Sequence, residues 1–182
     1  FSIDQQVQDP GLVAGWLDEV LAVELPDPSG SKGLILNTVA PADALTELDY
    51  LMPVDGTRAD LLAAAVREEY PLPAQLSSSH IRGYMTGFID LIVRSGESHY
   101  VVDWKSNWLG EVASAYTDQA MEHSIAEHGY ALQFCLYTLA LHRWLRRTVP
   151  DYCYEQHIGG VHYIFLRGAG AAGQPVGQGV YS

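Results

Sequence analysis

Positive charge is scarce in this chain. Its 182 residues include 10 Lys and Arg against 22 Asp and Glu, a net charge of −12, and the isoelectric point is near 4.8. An acidic body repels phosphate, whereas independent nucleic-acid binders carry a basic footprint, so charge alone argues against that class. Cysteine is almost absent. Cys135 and Cys153 form neither a metal-ligand nor a disulfide spacing, which points to a reducing, cytoplasmic compartment. No apolar run reaches the roughly 18 residues of a membrane span, and no basic-then-apolar leader precedes the first helix, so no membrane association is expected. There is no internal repeat. The chain opens on Phe1 rather than methionine, and is expected to be a fragment of a longer subunit, trimmed at its N-terminus and open to the same reading at its C-terminus.

What is present fits one globular domain over residues 1–182 with a core of its own: 48% of residues are hydrophobic and 18% charged. Leu12, Val13, Trp16, Leu17, Val20 and Leu21 recur at helical spacing after Pro10-Gly11, and Pro26 ends that pattern. Leu45 to Met52 reads as a strand with Leu48, Tyr50 and Met52 on one face and Glu47 and Asp49 on the other. A short helix is expected over Arg58 to Glu69, and a loop over LPAQLSSSH. GYMTGFIDLIV, the turn RSGESH and YVVDWK give the clearest β signal. A helix from about Val112 to Glu127 follows, then a break at Gly129, then a helix from Tyr130 to about Arg147 closed by Pro150. GGVHYIFLRG reads as the last strand, and the Gly-rich tail from Gly168 as loose. Strands interrupted by helices predict an α/β domain, a central mixed β-sheet flanked by helices.

The chemistry gathers on the hairpin. Asp103 and Lys105 alternate onto one face of their strand. With Ser95-Gly96 as a two-residue turn, Asp90 stands diagonal to Asp103. With Ser95 to Ser98 as the loop, it faces Asp103 directly. Both registers place Asp90, Asp103 and Lys105 on one face, whereas a three-residue loop would turn Asp90 to the other face unless a bulge restored it. Two carboxylates about 4 Å apart repel by roughly 4 kcal/mol at an effective dielectric near 20, so such a pair needs a proton, a cation or solvent. A divalent metal answers that demand and leaves positions for water and phosphate oxygens, and Lys105 beside it could orient or deprotonate an attacking water. The bland alternative is a solvated Asp–Lys pair at a strand end. Tyr130, Gln133 and Tyr137 fall at i, i+3 and i+7 on one helical face, where a buried helix with ordinary partners is again the alternative.

These blocks resemble the PD-(D/E)xK nuclease superfamily and its restriction-endonuclease-like core. Taken together, GYMTGFIDLIV, YVVDWKSNWLG, YALQFCLYTLALHRWL and GGVHYIFLRG resemble the C-terminal nuclease domains of the RecB (exodeoxyribonuclease V beta subunit) family. The strong part of the resemblance, residues 82–168, is the expected catalytic core. It implies a Mg²⁺-dependent exodeoxyribonuclease, with Mn²⁺ as a substitute and Ca²⁺ as an inhibitor. It also implies service in a RecBCD-type helicase-nuclease for double-strand-break repair and recombination. Asp90, Asp103 and the Trp104 backbone carbonyl are implied as metal ligands. Lys105 is implied as base or water-positioning group, Gln133 and Tyr137 as the Gln-x-x-x-Tyr pair, and Glu47 as the active-site glutamate. Trp108, Tyr116 and Arg167 are candidates for contacting DNA at the site's mouth. The implied partners are single-stranded DNA delivered by a helicase, RecC- and RecD-type subunits, the helicase part of the same subunit, and a RecA-type recombinase.

One departure from that family pattern matters. The family supplies a further metal ligand, a histidine on an upstream helix, and no histidine precedes His80 here. His99 or His142 could substitute only without a motif to support them. The isolated fragment is therefore expected to cut weakly. A catalytically incomplete module that docks partner subunits or a recombinase stands as the alternative from another class.

Overall fold

The computed structural model describes residues 9–27, 33–53, 57–58, 64–68, 80–81, 83–170 and 177–182. Helix α1 spans Pro10–Leu21, with Asp9 Oδ1 accepting Gly11 N–H at 2.9 Å and proline at its start. This satisfies an otherwise orphaned amide at the point where proline forfeits nothing. Trp16, Val20 and Leu21 pack inward, whereas Leu12 and Leu17, two of the expected apolar stripe, face solvent. Two short strands, β1 (Glu24–Leu25) and β2 (Leu34–Ile35), pair antiparallel after it.

The main sheet has five strands in the order β3-β6-β7-β8-β9. These are β3 (Ala44–Pro53), β6 (Tyr84–Ser95), β7 (Ser98–Lys105), β8 (Ile158–Phe165) and β9 (Val180–Tyr181). β7 and β8 run parallel and the other neighbours antiparallel, so the sheet is mixed as expected. A small separate pair, β4 (Thr57–Arg58) and β5 (His80–Ile81), puts Arg58 in a strand where a helix was expected. The helical part of that segment is described only at 64–68, and most of LPAQLSSSH lies outside the described residues.

The crossover from β7 to β8 carries α2 (Asp118–His128), α3 (Tyr130–Thr148) and the single turn α4 (Tyr154–His157). α2 begins six residues later than the apolar pattern predicts. Thr117 caps it, its Oγ1 accepting Ala120 N–H at 3.2 Å, and Ala113–Ala115 form a separate 3₁₀ turn instead. Gly129 takes φ +69 between α2 and α3, a left-handed break that other residues adopt at a cost. The tail is not loose at its end: Val180 and Tyr181 pair with β8.

Apolar clusters cover both sheet faces. Val93, Tyr100, Val102 and Ile164 face α1, whereas Ile92, Val101 and Val161 face Tyr137, Leu141 and Leu145 of α3. A third cluster joins α2 to Tyr163 and Phe165 of β8. No helix among the described residues is long and apolar enough to cross a membrane.

Candidate active site

The hairpin register is the one that opposes the two acids. Ladder pairs run from Ser95↔Ser98 to Leu91↔Val102 around a two-residue Gly96-Glu97 turn, with Gly96 at φ +62. Continued one step, this register sets Asp90 opposite Asp103, but the ladder ends at Leu91↔Val102. Beyond that rung β6 stays paired to β3 as far as Pro53↔Tyr84, and β7 stays paired to β8 as far as Lys105↔Phe165. The middle of the sheet therefore forks at Asp90 and Asp103.

Backbone groups at a fork lose their ladder partners, and buried ones need replacements. Trp104 N–H donates to Asp90 Oδ2 at 3.2 Å, while the next carbonyl, that of Lys105, accepts Leu166 N–H across β8 at 2.9 Å. In a strand a residue's N–H and C=O point to the same side. The Trp104 carbonyl therefore faces the fork, beside the Asp90 carboxylate.

The same rung is irregular on its outer side. β3 pairs with β6 at Thr46↔Leu91 and Leu48↔Ile89 but not at Glu47 and Asp90 between them, and Glu47 takes φ +53. Ile89 and Ile92, three residues apart, pack on the same face, and Ala44 packs on the opposite face from Leu48, Tyr50 and Met52. The pleat thus turns over on both strands at one rung. Glu47 is left exposed across from the half-buried Asp90. A non-glycine residue at positive φ is costly, and such strain collects at functional sites.

Asp103 and Lys105 are both buried on the α3 side. Burial pushes the Asp103 carboxyl above the usual carboxylate range, Lys105 pulls it back, and the Asp90 charge raises it again. Lys105 Nζ lies 2.5 Å from Asp103 Oδ2, an ion pair by distance, yet that oxygen has no properly formed hydrogen bond. Lys105 Nζ donates to Gln133 Oε1 at 2.7 Å, and Gln133 Nε2 donates to the Tyr137 hydroxyl at 2.7 Å. This pair of bonds fixes which way the amide points. Burial and then the Asp103 charge raise the Tyr137 phenol, so it remains a hydroxyl. Tyr50 meets the Tyr137 ring edge-on at 6.1 Å.

The remaining predicted positions separate. Trp108 is 61% exposed beyond β7, with the Arg167 guanidinium 5.3 Å from its ring centre. Tyr116 is corrected: at 1% exposure it offers no face to a nucleic acid. Its hydroxyl instead donates to the Asn107 carbonyl at 3.3 Å and accepts Leu109 N–H at 3.4 Å, bracing the loop that carries Trp108. His99 and His142 do not approach the acids. His99 is the second residue of β7, about 13 Å of strand from Asp103, beside the His157 carbonyl, and His142 bonds the Tyr152 hydroxyl. No group of three or more His, Cys, Asp or Glu side chains able to hold a metal occurs among the described residues. Tyr130, which spacing grouped with Gln133 and Tyr137, and Tyr163, which spacing did not single out, stand against the Lys105 ammonium. The Tyr130 ring centre is 3.6 Å from Nζ and that of Tyr163 is 4.6 Å. Tyr163 is there because the parallel register pairs it with Asp103.

An all-oxygen donor set, with the buried Asp103 carboxylate close enough to Asp90 to feel its charge, suits a hard divalent cation, so the residues fit the metal chemistry that the resemblance implies. A fold built this way belongs with nucleases, and residues 36–179 match the PD-(D/E)XK nuclease superfamily; the chain belongs to that superfamily. More narrowly, it is similar to RecBCD enzyme subunit RecB. It is 39% identical to that of Escherichia coli K12 over 173 residues, 91% of this chain. It is 33% identical to that of Haemophilus influenzae over 155 residues, 84% of this chain, and 34% identical to that of Mycobacterium tuberculosis H37Rv over 178 residues, 86% of this chain. The matches cover 15%, 13% and 16% of those proteins, so this chain spans a small part of their length.

Proposed function

We propose that the chain is the DNA-cleaving domain of a RecBCD-type helicase-nuclease, hydrolysing phosphodiester bonds of unwound single strands during double-strand-break repair and recombination. The observation that carries this reading is the convergence of Asp90 and Asp103 at a fork in the sheet, with Lys105 beside them. Asp90, Asp103 and the Trp104 carbonyl would hold Mg²⁺ or Mn²⁺. When bound, the ion supplies Lewis acidity toward a phosphate oxygen and acidifies a bound water. Lys105 presents its ammonium to the attacking water and to charge developing on phosphorus. Gln133 anchors Nζ, and Tyr137 holds Gln133 in the accepting orientation. Glu47, across the irregular rung, would bind a second water or the ion's outer sphere. Trp108, backed by Arg167, is a stacking platform for a base of the incoming strand.

The net charge of −12 is then no obstacle. Helicase motors and RecC- and RecD-type partners deliver the strand, and the ion brings local positive charge. A second reading, a docking module for those partners or a RecA-type recombinase, is favoured by the lack of a third metal-binding side chain among the described residues. One experiment separates them: digestion of labelled single-stranded DNA with Mg²⁺, Mn²⁺ or Ca²⁺, for the protein and for Asp103→Ala, beside calorimetric Mn²⁺ binding. Cleavage and ion binding lost together in Asp103→Ala support the nuclease. Equal cleavage by both proteins would sink it, and ion-free, inactive protein would favour the docking reading.

A further inference from the structure

Lys105 is the only cationic side chain that the described structure buries, and the fold surrounds it with more than Asp103 and Gln133. The Tyr130 and Tyr163 ring centres lie 3.6 Å and 4.6 Å from Nζ, both within the reach of a cation–π contact. The two rings come from different elements, the first residue of α3 and the middle of β8, so no local sequence effect explains their meeting.

Both rings are themselves fixed. The Tyr163 hydroxyl donates to the Tyr130 carbonyl at 2.7 Å, tying β8 to the start of α3. The Tyr130 hydroxyl donates to Asn107 Oδ1 at 3.2 Å, and the Asn107 amide reaches His128 Nε2 at 3.4 Å. His128 Nδ1 lies 2.8 Å from the Ser124 carbonyl, which requires the proton on Nδ1 and leaves Nε2 to accept from Asn107. The imidazole also stacks on Tyr130, centres 5.3 Å apart and planes at 17°. Asn107 thus joins the segment just beyond Lys105 to the glycine break that starts α3.

We propose that Tyr130 and Tyr163 are positioning residues that form an aromatic cage around the Lys105 ammonium, holding it between Asp103 and Gln133. A lysine has four rotatable side-chain bonds, and without walls its head would sample several positions. The ring faces attract the ammonium without offering an oxygen that would compete with Asp103 or the reacting water. Asn107 and His128 act one step further out, by holding the Tyr130 ring at its angle.

This inference rests on the nuclease reading, and its test separates the two failures. Single-stranded DNA cleavage would be compared for the unaltered protein, Lys105→Ala, Tyr130→Leu, Tyr130→Phe and Tyr163→Leu. In Tyr130→Leu, kcat is expected to fall by about tenfold or more, with KM within about twofold. Tyr130→Phe keeps the ring and should recover kcat to within about threefold, losing only the Asn107 bond. Full activity in Lys105→Ala would overturn the nuclease reading itself. Loss in Lys105→Ala with full activity in Tyr130→Leu would overturn the cage alone, as would equal losses in Tyr130→Leu and Tyr130→Phe. A second measurement needs no activity: urea unfolding of metal-free protein carrying Tyr130→Leu, Lys105→Met or both. The cage predicts a smaller shift in midpoint from Tyr130→Leu when Lys105 is already Met, and strictly additive shifts would refute it.

Discussion

His162 ties the stability of this domain to acid in a way that can be measured at one side chain. It lies on β8 within the core that faces α1, is 0% exposed and stacks on Tyr100 with ring centres 5.7 Å apart. Nδ1 reaches the Ser182 hydroxyl at 2.7 Å, while Nε2 has no hydrogen-bond partner. Burial lowers its pKa from 6.5 to about 4, against a smaller upward pull from Asp27. Between those values the unfolded chain binds a proton that the folded chain refuses. The contribution is therefore fully present above pH 6.5, is lost as pH falls toward 4, and changes no further below that. At about 1.36 kcal/mol per pH unit, the loss by about pH 4.5 is about 2.5 kcal/mol. His162→Phe keeps a ring against Tyr100 and removes the titrating nitrogens. Urea unfolding followed by tryptophan fluorescence at about pH 7.5 and about pH 4.5 gives the comparison, and subtracting the two proteins cancels their shared carboxylates. The unaltered protein should lose about 2 to 3 kcal/mol more than His162→Phe over that interval. Equal losses would show that the imidazole is not held neutral by its burial.

Two further outcomes follow from the site's surroundings. Glu47→Gly removes a side chain from φ +53; it should raise unfolding stability by about 1 kcal/mol while lowering cleavage, and loss of both would deny that strain is stored there. A Cβ on Gly168 would strike the buried Tyr116 ring. Gly168→Ala should therefore cost about 1–3 kcal/mol of stability and raise KM for single-stranded DNA by loosening the loop under Trp108, both readable from unfolding and steady-state cleavage curves.

The hairpin could be read in the sequence because β6 and β7 carry their chemistry on an alternating apolar background, and because Gly96 marks the turn. Asp103 and Lys105 two residues apart follow from the pleat alone. The helix bearing Gln133 and Tyr137 was legible for a similar reason, since its buried ridge continues through Leu141 and Leu145 at the same spacing. Other features depend on partners distant in the chain. Two residues of β9 lie in a Gly-rich tail and become a strand only because β8 offers an edge. Tyr116 looks like a surface aromatic until Phe165 and the 107–109 loop close around it. Tyr163 gains its place against Lys105 from a parallel register that no local pattern encodes. The left-handed Glu47 had no signal, because glutamate is not a residue that favours that conformation.

The fork and the turned pleat explain each other. A regular antiparallel ladder continued through Asp90 and Asp103 to Ile89 and Trp104 would spend the Trp104 N–H and C=O on Ile89 and press two carboxylates together. Separating the strands there frees both backbone groups. One is satisfied by Asp90, which fixes that carboxylate at the edge of the opening, and the other is left facing it. β6 can swing away from β7 without leaving β3 only if β3 follows, and the matched reversal at Glu47 lets it do so without changing the register on either side. The sheet brings three oxygens toward one point by ending the β6–β7 ladder there, while the β3–β6 and β7–β8 ladders run on past it and keep that point rigid. A restored rung would leave the same residues in sequence and remove the place where they meet.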